Sequence, residues 1–378
     1  MFYLGGVGLS FFLAILLLSK SKKIVADKIL TGWLFLITIH LLSFYSRKME
    51  LYPQTLGIEI PLPLVHGPFL YLYTLALTNR IKSFRISALH FIPFIAVYIY
   101  LIPFFALPLE QKIYVYKNEG VGYETFGLIK TVANIISGVL YVILSSIVLR
   151  KHRISIADQF SYTEKINLQW LQYLIYWIAV IWIFVIFRND DWVFGAAVLF
   201  ILFIGFFGIK QVGVFHSQEF TSSKKNAEVT GNAKEENDID ESHSDATQEK
   251  RKYQKSGLSS ESSETLHRQL NQIMSGEKLY CESELSLSEL ATRLNTQPNY
   301  LSQVINEREG KNFYDYINSQ RIEEFKRLAV SPDNRKYTLL ALAEQCGFNS
   351  KSSFNRYFKK VTGQSPSEFM TAVSDSGK

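Results

Sequence analysis

Thr338–Pro366 reads TLLALAEQCGFNSKSSFNRYFKKVTGQSP, and this stretch decides how the C-terminal third of the chain folds. After Thr338, whose hydroxyl suits a helix start, Leu339, Leu342, Ala343 and Cys346 recur at helical spacing. Gly347-Phe348 breaks that pattern as a turn. Asn349 or Ser350 then caps a second helix carrying Phe354, Tyr357 and Phe358 on one side. Two short helices about a tight turn, with the small Ala343 where they cross, make a helix-turn-helix.

Upstream, the same grammar occurs about 50 residues earlier, and an internal repeat carries more weight than either copy. Ser286-Leu287-Ser288-Glu289 is a capping-box pattern, in which the Ser and Glu side chains satisfy each other's backbone donors. Leu287, Leu290, Ala291 and Leu294 supply an apolar face, and Asn295 suits the left-handed residue that ends a helix. Pro298 suits the first turn of the next helix, which carries Tyr300, Leu301, Val304 and Ile305 inward. Between the two copies, Phe313 to Val330 reads as one long helix with Phe313, Ile317, Ile322, Phe325 and Leu328 buried, a spacer between the motifs.

The region from about Leu285 to Phe369 resembles the DNA-binding domain of the AraC/XylS family of bacterial regulators. The residues that carry the likeness are Leu287-Ser288-Glu289-Leu290-Ala291, Tyr300-Leu301-Ser302, Tyr316-Ile317 with Arg321-Ile322, Cys346-Gly347-Phe348, Phe354-Asn355-Arg356-Tyr357-Phe358-Lys359-Lys360, Thr362-Gly363 and Ser365-Pro366. Phe325 departs from it, standing where that family usually has a small residue. The resemblance implies that both second helices enter successive major grooves of double-stranded DNA. On matching positions it implies base contacts from Asn299, Ser302 and Gln303 in the first motif and from Lys351, Ser352, Ser353 and Arg356 in the second. The side-chain chemistry agrees, since Asn and Gln pair with adenine, Arg and Lys with guanine, and Ser with either. Ser350, Asn355, Lys359 and Lys360 are placed for phosphate, which sets register and adds salt-dependent affinity.

Bulk charge adds little to this. The net charge is +6, but acidic and basic residues nearly balance from Arg268 onward. The first motif ends in Glu307-Arg308-Glu309, whereas Lys351 to Lys360 holds no acid. The second motif is therefore expected to supply more of the sequence-independent affinity.

The N-terminal half is another kind of chain. Hydrophobic residues make up 48% of the 378, an average over two unlike parts. Up to about residue 215 the sequence is long apolar runs, and seven of them approach the roughly 20 residues that span a bilayer. They run from Phe2 to Leu18, Ile29 to Tyr45, Ile60 to Leu77, Ala88 to Leu107, Phe126 to Leu149, Leu168 to Phe187 and Trp192 to Val212. The third is the least regular, because Pro61, Pro63 and Pro68 interrupt it. The first lacks a basic leader and a small-residue cleavage site, so it is expected to be retained. Lys20, Lys22, Lys23 and Lys28, then Arg80, Lys82 and Arg85, then Arg150, Lys151, Arg153 and Lys165 concentrate in alternate loops. That bias puts the N-terminus outside and, with an odd helix count, the C-terminal domain in the cytoplasm, beneath the inner membrane of a bacterium.

His40, His66 and His90 fall in apolar segments, where ionisable groups are candidate functional sites. None has ligand spacing such as His-x3-His, and hydrogen bonds between packed helices account for them more simply. The loop from Pro108 to Glu124 reads as solvated, with ligand contact as the alternative. Cys281 and Cys346 are too few for a disulfide framework and read as reduced thiols.

The expected architecture is all-α: a polytopic, seven-helix membrane domain over 1–215, a disordered linker over 216–263, and an AraC-type domain of two helix-turn-helix motifs over 264–378. No nucleotide loop or nucleophile elbow is present, so no catalytic residue, cofactor or metal is expected. The function expected is a membrane-bound one-component transcription regulator. Its partners are double-stranded DNA, the lipid bilayer, a second copy of the chain and a small-molecule, lipid or envelope signal. The alternatives are a transporter or membrane enzyme with a tethered autoregulatory DNA-binding domain, and an anchor that holds DNA without sequence preference.

Overall fold

The computed structural model describes residues 2–51, 55–81, 83–118, 120–163, 166–187, 189–208, 259–334 and 336–376. Among the described residues the regular structure is helical, with no strand beyond one isolated bridge, as the all-α expectation requires. The stretch 216–258 of the expected linker lies outside the described residues. The chain forms two compact units, one of Met1–Lys151 with Leu168–Ala233, the other of His152–Asn167 with Lys234–Lys378.

The first unit is built from α1 (Phe2–Ser19), α2 (Val25–Lys48), α3 (Pro63–Leu77), α4 (Phe84–Leu89), α5 (Ile92–Tyr100), α6 (Ile102–Phe105), α7 (Leu109–Lys117), α8 (Glu124–Gln159) as far as Lys151, α9 (Gln169–Ile186) and α10 (Asp190–Phe203). Five helices, α1, α2, α8, α9 and α10 with its extension to Phe207, are long and apolar enough to cross a membrane. Two of the seven expected spans differ. The third forms α3, whose 15 residues, at ~1.5 Å each, fall short of the ~30 Å hydrocarbon core. The fourth breaks into α4, α5 and α6. Pro93 and Pro103 sit in the first turns of α5 and α6, where a missing N–H costs nothing but a continuing helix would be interrupted. Part of the loop read as solvated is helical as α7.

The core of this unit lies between α1, α2, α9 and α10, where Leu13, Trp33, Leu34, Leu171, Leu174 and Ile201 pack together. Large apolar side chains such as Leu128, Ile129 and Ile136 of α8 face outward. Several polar groups inside are paired. Ser10 and Thr38 share a 2.8 Å hydrogen bond, and Asp27, buried at the start of α2, takes Lys20 Nζ at 2.7 Å and the Ile24 N–H at 3.0 Å. At the other end of α2, Arg47 pairs with Asp190 at 2.8 Å and Lys48 with Asp191.

In the second unit, α11 (Ser260–Glu277) starts inside the stretch read as linker, because Ser259 caps it through the Ser262 N–H. The two motifs follow as α12 (Leu287–Arg293) with α13 (Pro298–Val304), and α15 (Leu339–Gln345) with α16 (Lys351–Thr362). Between them runs α14 (Phe313–Val330), and α17 (Pro366–Ser376) closes the domain. The spacer helix serves two cores. Phe313, Tyr316 and Ile317 join the first motif's core, while Ile322, Phe325 and Ala329 join that of the second. Phe325 is fully buried in an aromatic cluster, its ring 4.6 Å from Phe354 and 5.6 Å from Phe358. The second core is thus filled by aromatic rings from the spacer and from the second motif.

Candidate DNA interface

Each motif is assembled by local chemistry that the sequence announces. Ser286 and Glu289 close a reciprocal capping box, with the Ser286 N–H donating to Glu289 at 3.0 Å and the Glu289 N–H to Ser286 Oγ at 3.2 Å. Asn295 has φ of 50° and ends α12. Ser350 caps α16 by accepting from the Ser353 N–H at 3.2 Å. Apolar residues then anchor one face of each second helix, Leu301, Val304 and Ile305 in the first motif and Phe354, Tyr357 and Phe358 in the second.

The opposite faces carry the residues expected to meet DNA, and the structure sorts them. On α16, Lys351, Ser352, Asn355, Arg356 and Lys359 are exposed in one stripe at helical spacing. On α13, Asn299 is exposed and Ser302 half-buried. Several expected residues also make contacts within the protein. Gln303 is 6% exposed, its amide donating to Glu307 at 3.0 Å. Ser353 is 4% exposed beneath the cap of its own helix, and the Ser350 hydroxyl is the cap. Lys360 pairs with Asp315 of the spacer helix at 2.7 Å. Lys351, Arg356 and Lys359 carry the rest of the positive charge of α16.

Beneath the second motif lies a polar assembly that sequence reasoning missed. Arg321 of α14 is 1% exposed, and acceptors surround its guanidinium. Nε donates to the Tyr280 carbonyl at 2.6 Å and Nη2 to the Glu282 carbonyl at 2.7 Å. Nη1 and Nη2 also reach the carbonyl and hydroxyl of Ser161, at 3.3 and 3.1 Å. Asn318 donates to the same Ser161 carbonyl at 3.0 Å, and the Ser161 N–H and hydroxyl both donate to the Leu285 carbonyl, at 3.2 and 2.7 Å. Phe160 bridges to Ser286, the N-cap of the first motif. Residues 160 and 161, which follow α8, are thus an integral part of this unit. Only the company of Arg321 with Ile317, Ile322 and Phe325 on a buried face hinted at its burial, and nothing near Ser161 pointed to its role.

Ionisable groups beside this assembly are shifted by their neighbours. The Arg327 guanidinium, hydrogen-bonded to Glu324, holds that carboxyl down to about 2, with Lys278 adding to the effect. Burial pushes the Cys346 thiol up to about 12 and raises Cys281 as well, so both are poor nucleophiles at neutral pH. Both are free thiols.

The repeated pair of helices with its capped starts and tight turns coincides with what comparison finds, for residues 290–372 match a helix-turn-helix domain family. This part of the chain is a helix-turn-helix domain. An uncharacterized HTH-type transcriptional regulator of Staphylococcus aureus (strain COL) is 34% identical over 100 residues, covering 26% of this chain and 13% of that protein. YtdP of Bacillus subtilis (strain 168), also an uncharacterized HTH-type transcriptional regulator, is 34% identical over 88 residues, 23% of this chain and 11% of its own. The chain therefore spans a small fraction of the curated relatives it matches, and their names describe regulators rather than enzymes. No solved structure matches the chain.

The division of charge between the two helices of the helix-turn-helix domain yields an expected result. Neutralising Lys351, Arg356 and Lys359 to Gln should flatten the salt dependence of DNA affinity by about 2 to 3 log units per log unit of salt, whereas Arg308→Gln should change it by less than about 1. Titrations of a labelled duplex over a range of salt concentrations measure both slopes, and equal changes would overturn the division.

Proposed function

We propose that this chain is a membrane-bound, one-component transcription regulator of the AraC/XylS kind, in which the apolar helices control the DNA-binding domain of the same polypeptide. In this reading Asn299, Ser302, Lys351, Ser352 and Arg356 face base edges, and Asn355 and Lys359 face phosphates. Gln303, Ser350, Ser353 and Lys360 shape and hold the two helices. The long apolar helices support insertion in a bilayer, and the basic loops support a cytoplasmic domain.

The observation that carries the reading is the attachment of Ser161. Helix α8 bears an apolar run long enough to cross a membrane, and two residues past its end the chain is hydrogen-bonded to Arg321 and Asn318 of the spacer helix. Movement of α8 would therefore pull on the carbonyl cage under the second motif, a direct physical route from bundle to reader. A second copy of the chain and an inner-membrane location belong to the same proposal.

Two measurements test it. Selection of genomic fragments bound by the full chain in lipid nanodiscs should return a defined site with half-sites about one helical turn apart, and random fragments would indicate an anchor instead. In cells, Ser161→Pro removes both donors that hold the Leu285 carbonyl. It should lower output from a reporter carrying that site by about fivefold or more at equal protein level, the size of a typical coupling energy. An unchanged reporter would sink control through this attachment.

A further inference from the structure

The first unit contains an open-mouthed cavity of about 690 Å³, within the range of sites that take drug-sized molecules. Its walls are largely apolar, with rings from Trp33, Phe104, Phe126, Trp182, Phe194 and Phe200 among aliphatic side chains. Arg47, Glu59, Lys130 and Asp190 also line it. Two cations stand against two anions, and Arg47 is paired with Asp190 at 2.8 Å while Tyr116 donates to Glu59. The wall therefore offers no net charge to an occupant, and an ion entering would lose its hydration without a compensating partner.

Away from these charged residues, the wall offers an acceptor and a donor. Asn134 is 7% exposed and lines the cavity, and its Oδ1 has no hydrogen-bond partner. An amide oxygen left bare in an apolar surround is unfavourable, so an occupant that donates to it is favoured. On the opposing helix, Trp33 Nε1 donates to Nδ1 of His66 at 3.1 Å, which puts the proton of a neutral His66 on Nε2. That proton is donated to Nδ1 of His40 at 2.9 Å, leaving the His40 proton on Nε2 as a donor among the residues that line the cavity. The relay fixes both rings, which stack with centroids 5.2 Å apart. It also accounts for two histidines in apolar helices without a metal, and no metal-binding cluster of His, Cys, Asp and Glu occurs among the described residues.

We infer that this cavity binds a small uncharged molecule with an apolar body and a head group that both donates and accepts, an alcohol or an unsubstituted amide, held between Asn134 and His40. This deepens the proposed function by giving the chemical class of the signal, and it rests on that reading for the consequence of binding, not for binding itself.

The test uses the full chain in lipid nanodiscs and three probes of one chain length: dodecanamide, N,N-dimethyldodecanamide, which accepts but cannot donate, and dodecylammonium, which is charged. Trp33 and Trp182 report occupancy through their fluorescence. Dodecanamide should give a saturable change, with the other two weaker by about tenfold or more, as expected when a buried polar group is left unpaired. Asn134→Leu should weaken dodecanamide to the level of its dimethyl analogue. Equal, unsaturable responses to all three probes would mean partition into the lipid and would overturn the inference. The comparison of probes on the unaltered protein decides the matter even if the variant does not fold. Saturable binding that leaves DNA affinity unchanged would refute the proposed control while leaving the cavity's ligand class intact.

Discussion

Replacing Arg321 with Met is expected to destabilise the C-terminal unit by about 3–5 kcal/mol, the cost of removing one side of a buried polar assembly. A buried charge is often dispensable when its partner can be exchanged for an apolar group as well. Here the partners are the backbone carbonyls of Tyr280, Glu282 and Ser161, which cannot be exchanged and would be left bare. Arg321→Lys should recover little, because one ammonium with three donors cannot reproduce a planar fork that serves acceptors on three sides. Pulse proteolysis of the full protein in increasing urea, read on the C-terminal unit, measures the loss. A Lys variant as stable as the parent would show that charge alone matters there.

Gly347→Ala is the second large effect, at about 2–4 kcal/mol, and it acts through the same cage. Gly347 has φ of +95°, and a Cβ there would stand 2.8 Å from the Cys281 and Tyr280 carbonyls and 2.9 Å from Arg321 Nε. Backbone oxygens on one side and a fully engaged guanidinium on the other leave nothing free to move aside. Asn, which accepts positive φ more readily than Ala, should not rescue this position, since the obstruction is the Cβ. Gly310 is the control. It has φ of +64° with no atom within 4 Å of its Cβ direction, so Gly310→Asn should cost less than about 1 kcal/mol. Because Gly347 and Arg321 share a contact, the double variant should lose less than the sum of the two singles. Additive losses in the same urea series would argue against a common cage.

Several features were legible from the residues because they depend on near neighbours in the chain. The capping box, the left-handed Asn295, the short paired helices and the long spacer helix all follow from helical spacing and from side chains that bond their own backbone. The apolar runs were equally plain. Their lengths were less so, since prolines at 93 and 103 start new helices where the hydropathy continues unbroken.

The candidate interface was legible by face but not residue by residue. Position on a helix says which side a residue is on, and it does not say what else comes to that side. Gln303 turns to Glu307, and Lys360 meets Asp315 from the spacer helix. The aromatic walls of the cavity come from five separate parts of the chain, and its unpartnered Asn134 has an ordinary neighbourhood in sequence.

By itself, then, the sequence determined a helix-turn-helix domain joined to apolar helices, because periodicity, caps and turn residues act over a few positions. Only the tertiary structure decided that Ser161, far from the domain in sequence, completes the cage of Arg321, and that Gly347 must stay without a side chain beside it. Burial of a charge is a property of everything packed around it, and those neighbours come together only when the chain has folded.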